Sequence, residues 1–272
     1  MLQRIRDSLI AVVAVIKFVF LTWGSQLHWM VKSGDTGSRF TFPGGKRAAY
    51  VSTWDDTVNL PSVQKVCEVF AQAGLEGVPV TLFCDTDLLT PATVAALPTN
   101  VVVGSHTRTH PWGGFVSISD RELRGSQAKI QRLLGSNHGR TFCFPHGQFP
   151  VTHLGDATNK TIEDTYLGAR TTQKGFVDSK DGPYRVRCLK IETIESPNIH
   201  TWLQGGRAMV TYGHGIRGIG GWNPVGLSQF KAHVQEIAQH KDDIWFTSFA
   251  NLVSYLRDTN QFHNNHYHNN HH

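Results

Sequence analysis

Short apolar runs alternate with longer amphipathic stretches from residue 47 to residue 257. The short runs are rich in β-branched and aromatic residues, which is typical of buried strands. The predicted strands are 48–53, 78–83, 101–105, 141–144, 164–169, 186–191, 208–212 and 244–247. The predicted helices are 62–73, 90–96, 119–134, 228–239 and 249–257. This alternation predicts an α/β fold with a parallel sheet, either open or closed into a barrel.

Two of the predicted helices carry start signals. Ser119 is followed three residues later by Glu122, a spacing that predicts a capping box in which each side chain accepts a hydrogen bond from the other residue's backbone amide. Pro91 lies in the first turn of its helix, where the missing N–H costs nothing.

The N-terminal segment differs from the body of the chain. Arg4 and Arg6 precede the apolar run 9–16, and Lys17 separates that run from a second one. Over residues 1–30 this pattern predicts a secretory signal or a membrane anchor, and therefore a secreted or membrane-anchored protein. The alternative is an amphipathic or buried helix of a cytoplasmic protein.

Three further segments complete the predicted organisation. Residues 31–46 form a Gly/Ser/Thr-rich lead-in, residues 47–258 form the main domain, and residues 259–272 form a His/Asn-rich disordered tail. The tail binds metals only adventitiously, because imidazoles on a flexible chain build no defined site.

Composition excludes several classes of protein. Of 272 residues, 40% are hydrophobic and 10% aromatic, which excludes a largely disordered chain. The net charge of +5 comes from scattered Lys and Arg, so we expect no nucleic-acid partner. The sequence has no Gly-x-Gly-x-x-Gly motif after the first strand and no Gly-Lys-Ser/Thr motif, so nothing indicates a dinucleotide or nucleoside triphosphate site.

Four cysteines lie too far apart for a Cys-x-x-Cys zinc site; they are Cys67, Cys84, Cys143 and Cys188. In an exported protein they would form one or two disulfides, whereas buried free thiols agree equally well with the sequence.

Polar clusters follow the first and third predicted strands. Asp55 and Asp56 are adjacent carboxylates that point to different sides of the backbone, so one can bind a cation while the other handles a proton. His106 and His110 are four residues apart and can direct two imidazole nitrogens at one ion. With Asp56 they would make a His-His-Asp site with coordination positions left for water and substrate.

Two more clusters follow the fourth and seventh strands. In Pro145-His146-Gly147 the proline fixes a turn and the glycine allows close backbone approach, so exposed amides there could support an oxyanion. His214 lies between glycines after an apolar strand, where a rim acid or base is expected. Taken singly, each cluster also agrees with an ordinary turn or a structural side chain.

In order and spacing, these clusters resemble the motifs of the polysaccharide deacetylase family, carbohydrate esterase family 4. The matching segments are Thr-Trp-Asp-Asp-Thr, His-Thr-Arg-Thr-His, Phe-Pro-His-Gly and Val-Thr-Tyr-Gly-His. The resemblance covers residues 47–257, and the Asp-Asp pair combined with His-x-x-x-His is its most specific part.

The resemblance implies a distorted (β/α) barrel and metal-assisted removal of acetyl groups from a polysaccharide that contains N-acetylglucosamine. It assigns Asp56, His106 and His110 to one divalent ion, usually zinc. Asp55 would be the general base that activates water, and His214 would be the general acid that protonates the leaving amine. Backbone around Pro145, His146 and Gly147 would help to stabilise the oxyanion.

The chain departs from the family pattern at two positions in the third motif. Many members have an arginine two residues before the proline, where it orders the catalytic aspartate, but here that residue is Cys143. His146 stands where most members have an aromatic residue. No acidic residue is assigned to tune His214.

Two other functions remain open. One is an amidohydrolase of the same fold that acts on a small nitrogenous compound, and the other is a catalytically silent carbohydrate-binding domain. The presence of all proposed metal ligands argues against the silent domain, and an export signal favours a polymer substrate. Trp112 and Trp222, near the second and fourth motifs, could stack on sugar rings or pack in the core.

Overall fold

The computed structural model describes residues 38–56, 60–114, 116–150, 155–194 and 202–262. Its strands are β1 (Ala48–Trp54), β2 (Val80–Cys84), β3 (Val101–Ser105), β4 (Thr141–Cys143), β5 (Gly168–Lys174), β6 (Val186–Lys190), β7 (Ala208–Gly213) and β8 (Ile244–Phe246). Its helices are α1 (Leu60–Gln72), α2 (Pro91–Ala95), α3 (Asp120–Leu134), α4 (Asp156–Thr165), α5 (Leu227–Ala238) and α6 (Phe249–Asp258).

In the described part of the chain, strands β1 to β7 close into a parallel barrel, because β1 pairs with both β2 and β7. The barrel is distorted at β1. The first residues of β1 pair with β8, and only Ser52 to Trp54 pair with β2. The contact between β3 and β4 is reduced to one pair, Ser105 with Phe142.

Alternate residues of the strands fill the barrel at its amino-terminal end. Inward-facing residues such as Ala49, Val51 and Val210 belong to one buried cluster with Phe249 and Leu252 of α6. Helix α6 crosses this end of the barrel, since Arg257 Nη1 donates to the carbonyl of Leu167, just before β5. The polar positions are therefore left to the carboxyl-terminal end, where active sites of parallel barrels gather.

Both ends of the described chain pack onto this covered end. Phe40 and Phe42 from the predicted lead-in and Phe262 from the predicted tail are buried in the same cluster. The Thr41 amide donates to Gln261 Oε1 at 2.7 Å, and Gln261 Nε2 donates to the Thr41 carbonyl at 3.0 Å. These parts of the lead-in and tail therefore belong to the fold.

The predicted signal or anchor over residues 1–30 and the tail from residue 263 lie outside the described residues. Within the described ranges, no helix is both long and apolar enough to cross a membrane. All four cysteines are free, and Cys84, Cys143 and Cys188 are buried, so the structure agrees with the free-thiol alternative.

The predicted strand 164–169 is wrong in position. Asp164 belongs to helix α4, and the strand runs over Gly168–Lys174. The helix was missed because its buried face is carried by Thr158, Thr161 and Ile162 rather than by an apolar stripe. The other predicted strands and helices are confirmed, with ends that differ by at most two residues.

Candidate metal centre and its surroundings

Three ligand atoms converge just beyond the carboxyl ends of β1 and β3. Asp56 Oδ1 lies 3.4 Å from His106 Nε2 and 3.3 Å from His110 Nε2, and the two Nε2 atoms are 3.2 Å apart. Ligand atoms that each lie about 2.0–2.1 Å from a tetrahedral zinc ion are about 3.3 Å from one another. The predicted Asp-His-His set therefore has the spacing of three corners of a tetrahedral site.

The orientation of His106 suits it as a ligand. Its Nδ1 lies 2.8 Å from the Cys143 carbonyl, which can only accept a hydrogen bond, so Nδ1 carries a proton. This leaves the Nε2 lone pair directed at Asp56 and His110. A backbone carbonyl on the far nitrogen of a histidine is the usual support for a metal ligand.

Electrostatics keep the Asp56 carboxylate ionised. Burial alone would raise the pKa of Asp56, but the adjacent imidazoles of His106 and His110 lower that pKa far below its ordinary value. Conversely, burial alone would lower the pKa of His110, and Asp56 raises it above the ordinary value. The site therefore presents a negative oxygen between two imidazole rings, which is a donor set suited to a divalent cation.

The backbone of the site is held in an uncommon conformation. Asp56, Thr107 and His110 have positive φ angles of 75°, 70° and 55°. Such angles cost energy in residues other than glycine and persist only where the surroundings impose them. They turn the side chains of Asp56 and His110 toward the common point described above.

Glu122, at the start of α3, is one of the groups that fixes the loop between the two histidines. Its Oε2 accepts hydrogen bonds from the amides of Arg108 at 2.7 Å and Thr109 at 3.0 Å. The predicted capping box is thus half formed: Ser119 accepts from the Glu122 amide, while the Glu122 carboxylate serves the loop. The sequence spacing that indicated a cap could not show this longer-range use.

Asp55 lies beside the metal centre in a buried ion pair that the sequence did not predict. Arg170 of β5 donates from Nη2 to Asp55 Oδ2, and both side chains are almost fully inaccessible. Asp55 Oδ1 is also inaccessible and has no hydrogen-bond partner in the described structure. An arginine at an inward position of a barrel strand requires a buried partner, but the predicted strand ended one residue before Arg170.

His214 follows β7 and reaches the opposite oxygen of Asp56. Its Nε2 lies 3.8 Å from Asp56 Oδ2, and its Nδ1 has no hydrogen-bond partner among the described residues. Burial lowers the pKa of His214, and the nearby Asp55 and Asp56 carboxylates oppose that shift. No acidic side chain of the described residues hydrogen-bonds to this ring.

The Pro145-His146-Gly147 segment forms a tight turn against the metal centre. His146 has a φ of 56°, and its ring centroid lies 4.2 Å from that of His110. The Gly147 amide donates to the Phe144 carbonyl at 3.1 Å, so this amide is already used within the turn. Of the predicted oxyanion donors, this leaves the His146 amide.

Two exposed tryptophans extend from the site. Trp112 is 76% exposed and stacks on His146, with centroids 3.8 Å apart and planes 15° apart. Trp222 is 67% exposed and contacts His214 edge to face, with centroids 4.9 Å apart. Neither ring packs in the core, so both are open to a ligand.

Comparisons with known proteins bear on the fold. No protein-family model and no curated protein matches the sequence. Among solved structures, a protein assigned as a polysaccharide deacetylase from Mycobacterium smegmatis superposes with a TM-score of 0.54 and 12% sequence identity, over 83% of this chain and 96% of that one. That similarity confirms the predicted distorted (β/α) barrel.

Two further solved structures are similar at lower scores. A CE4 esterase from Streptococcus mutans has a TM-score of 0.47 and 14% identity, over 74% of this chain and 84% of that one. A family 4 carbohydrate esterase from Bacillus anthracis has a TM-score of 0.46 and 15% identity, over 80% of this chain and 87% of that one.

Proposed function

We propose that the protein is a metal-dependent hydrolase that removes acetyl groups from a polysaccharide containing N-acetylglucosamine. The observation that carries this proposal is the triangle of Asp56, His106 and His110 beside the Asp55 carboxylate, one oxygen of which has no hydrogen-bond partner among the described residues. The fold shared with the Mycobacterium smegmatis protein, itself assigned as a polysaccharide deacetylase, supports it.

Asp56, His106 and His110 would hold one divalent ion, and the nitrogen-rich donor set favours zinc. When bound, such an ion polarises a carbonyl group and lowers the pKa of water toward about 7. The three ligand atoms already lie 3.2–3.4 Å from one another, which is the spacing that such an ion would require.

The remaining residues divide the proton transfers between them. Asp55 Oδ1 would take a proton from the water that attacks the acetyl carbonyl, and the His146 amide would donate to the oxygen that becomes negative. His214 would then give a proton to the leaving amine nitrogen as the C–N bond breaks. The products are acetate and a free amino sugar, and burial of His214 lowers its pKa and thus favours release of its proton.

A sugar substrate agrees with the exposed aromatic rings. Trp112 and Trp222 each contact a histidine of the site and leave most of their surface open. Large aromatic rings with exposed faces pack against the C–H faces of sugars, and polymers place sugar rings on both sides of the reacting unit. A small amide substrate would leave both rings uncovered.

The test compares bound metal and acetate release in four full-length proteins: wild type, Asp55→Asn, Asp56→Asn and the control Asp181→Asn. Asp181 forms a similar ion pair with Arg187, before β6, away from the site. We expect Asp56→Asn to bind about one ion fewer per chain than the others, because the tail histidines contribute equally to all four. Acetate should be released from N-acetylglucosamine oligomers only by wild type and the control.

Other outcomes separate the alternatives. Equal metal content in wild type and Asp56→Asn would show that Asp56 does not bind the metal, and the proposed deacetylase function would then be wrong. Metal loss in Asp56→Asn without acetate release by wild type on any sugar would point to the amidohydrolase with a small substrate. A wild type that binds sugar oligomers without hydrolysing them would point to the silent carbohydrate-binding domain.

A further inference from the structure

We infer that Arg170 is the positioning residue of the general base: it holds one oxygen of Asp55 so that the other is left to accept the proton. This inference rests on the proposed function, in which Asp55 acts as the base. It adds to that function a residue on β5 that lies outside every sequence motif described above.

The guanidinium of Arg170 is fixed from several sides. Nη2 pairs with Asp55 Oδ2 and lies 2.8 Å from Cys143 Sγ, and Nη1 donates to the Thr171 carbonyl at 3.0 Å. The side chain has no exposed surface. The rings of Phe83 and Tyr212 flank the guanidinium, with centroids 5.4 and 5.0 Å from Cζ. Its rotation is therefore blocked, and the oxygen that it binds is held in place.

The pairing pattern indicates a role beyond stability. A buried arginine needs a negative partner, and a bidentate fork on both carboxylate oxygens would satisfy Asp55 fully. Here the guanidinium engages Oδ2 and leaves Oδ1 inaccessible and without a hydrogen-bond partner among the described residues. Leaving a buried acceptor unpaired destabilises the fold, so the arrangement makes sense where that oxygen has a proton to receive.

Cys143 explains how a guanidinium from β5 reaches Asp55. Cys143 and Arg170 are register partners on the neighbouring strands β4 and β5. Cys143 Sγ lies 3.8 Å from Asp55 Oδ2, so both positions point at the same carboxylate oxygen. A small residue at position 143 leaves the volume that the Arg170 side chain occupies. The same guanidinium could thus be supplied from either strand.

The experiment moves the guanidinium between these two strands in the full-length protein. It compares kcat, KM, bound metal and thermal unfolding for wild type, Arg170→Gln, Arg170→Lys and the double variant Cys143→Arg/Arg170→Ala. Arg187→Gln is the matched control, because Arg187 pairs with Asp181 away from the site.

We expect Arg170→Gln to lower kcat by about 100-fold, the cost of a small misplacement of a catalytic group, while KM and bound metal stay unchanged. Arg170→Lys keeps the charge but loses the planar fork and should also lower kcat. The double variant should recover most of the lost kcat, because an arginine introduced on β4 would restore a guanidinium at Asp55 Oδ2. Should Arg170→Gln unfold, Arg170→Lys and the double variant carry the test.

The outcomes distinguish this inference from the proposed function. The positioning role would be overturned by a wild-type kcat in folded Arg170→Gln or Arg170→Lys, or by a double variant that folds but stays inactive. In either case, acetate release by wild type would still support the deacetylase function. A wild type that releases no acetate would overturn both. Loss of bound metal together with kcat in Arg170→Gln would show general support of the site and would also overturn the inference.

Discussion

Glu122 shows how a single carboxylate can shape a candidate metal centre without being one of its ligands. It binds two consecutive amides of the loop between His106 and His110, in which Thr107 and His110 have positive φ angles. Because these angles are unfavourable, the loop should relax once the carboxylate is removed. The Nε2 atoms of His106 and His110 would then no longer point at the same position.

We therefore expect Glu122→Ala to weaken metal binding by about 10- to 100-fold, the usual effect of removing a group that orients metal ligands. Competition with a chelator of known affinity measures this change. Asp120→Ala is the control, because Asp120 lies in the same helical turn and its carboxylate is exposed. Equal affinity in Glu122→Ala and Asp120→Ala would show that the loop keeps its shape unaided.

The positions of the candidate site residues could be predicted where they follow a local motif. Asp55, Asp56, His106, His110 and His214 were all placed from strand-end patterns, and the structure brings them together. The roles of Arg170 and Glu122 were not predicted, because Arg170 pairs with Asp55 across 115 positions and Glu122 binds the histidine loop instead of completing its own cap. Nothing in the local spacing around either residue encodes its partner.

At the scale of elements, the limits of helices and strands were predicted correctly where apolar residues recur with the period of the helix or strand. Strand β3 buries valines and helix α3 buries Leu123 and Ile130, and the predicted limits of both elements lie within one residue of the observed ones. Helix α4 buries threonines instead and was missed, which moved the predicted β5 strand toward the amino terminus. Tertiary packing, rather than local hydrophobicity, decides the conformation of that segment.

Helix α5 carries a buried titratable group that should make stability depend on pH. His233 is buried against Tyr50, whose hydroxyl lies 3.0 Å from His233 Nε2, and burial lowers the pKa of His233 from 6.5 to about 4. As the pH falls below 6.5, His233 becomes protonated in the unfolded chain, whereas in the folded chain it stays neutral until about pH 4. Stability present above pH 6.5 is therefore lost toward pH 4.

We expect this histidine to account for about 3 kcal/mol of the difference in the free energy of unfolding across that interval. Urea unfolding at the two ends of the interval measures the difference for wild type and His233→Gln, whose side chain cannot become charged. The variant should show a smaller difference than wild type. Identical pH dependence in the two proteins would mean that His233 is accessible to protonation in the fold.

At the scale of the whole molecule, the barrel separates stability from chemistry. Its amino-terminal end is filled by the cluster that includes Leu252 of α6, and its carboxyl-terminal end carries the polar site. A cavity at the filled end should therefore reduce stability without altering the proposed reaction. This division follows from the parallel direction of all the barrel strands.

We expect Leu252→Ala to lower the free energy of unfolding by about 2–5 kcal/mol, since Leu252 is fully buried, and to leave kcat of the folded protein unchanged. Urea unfolding and acetate release measure the two effects. Asn251→Ala is the control, because Asn251 is exposed on the same helix. A large fall in kcat of fully folded Leu252→Ala would show that the two ends of the barrel are coupled.

The position of β1 in the barrel has a consequence for how the chain acquires its shape. β1 comes first along the described chain yet pairs with β7 and β8, so Tyr50 and Thr211 meet across 161 positions. Such distant pairing makes folding slow, because a long loop must close before the contact stabilises anything. Asp55 and Asp56, which follow β1, meet His214 only when that closure occurs. A nascent chain that ends before β7 therefore has neither a closed barrel nor the complete set of candidate site residues, and the site can form only late in synthesis.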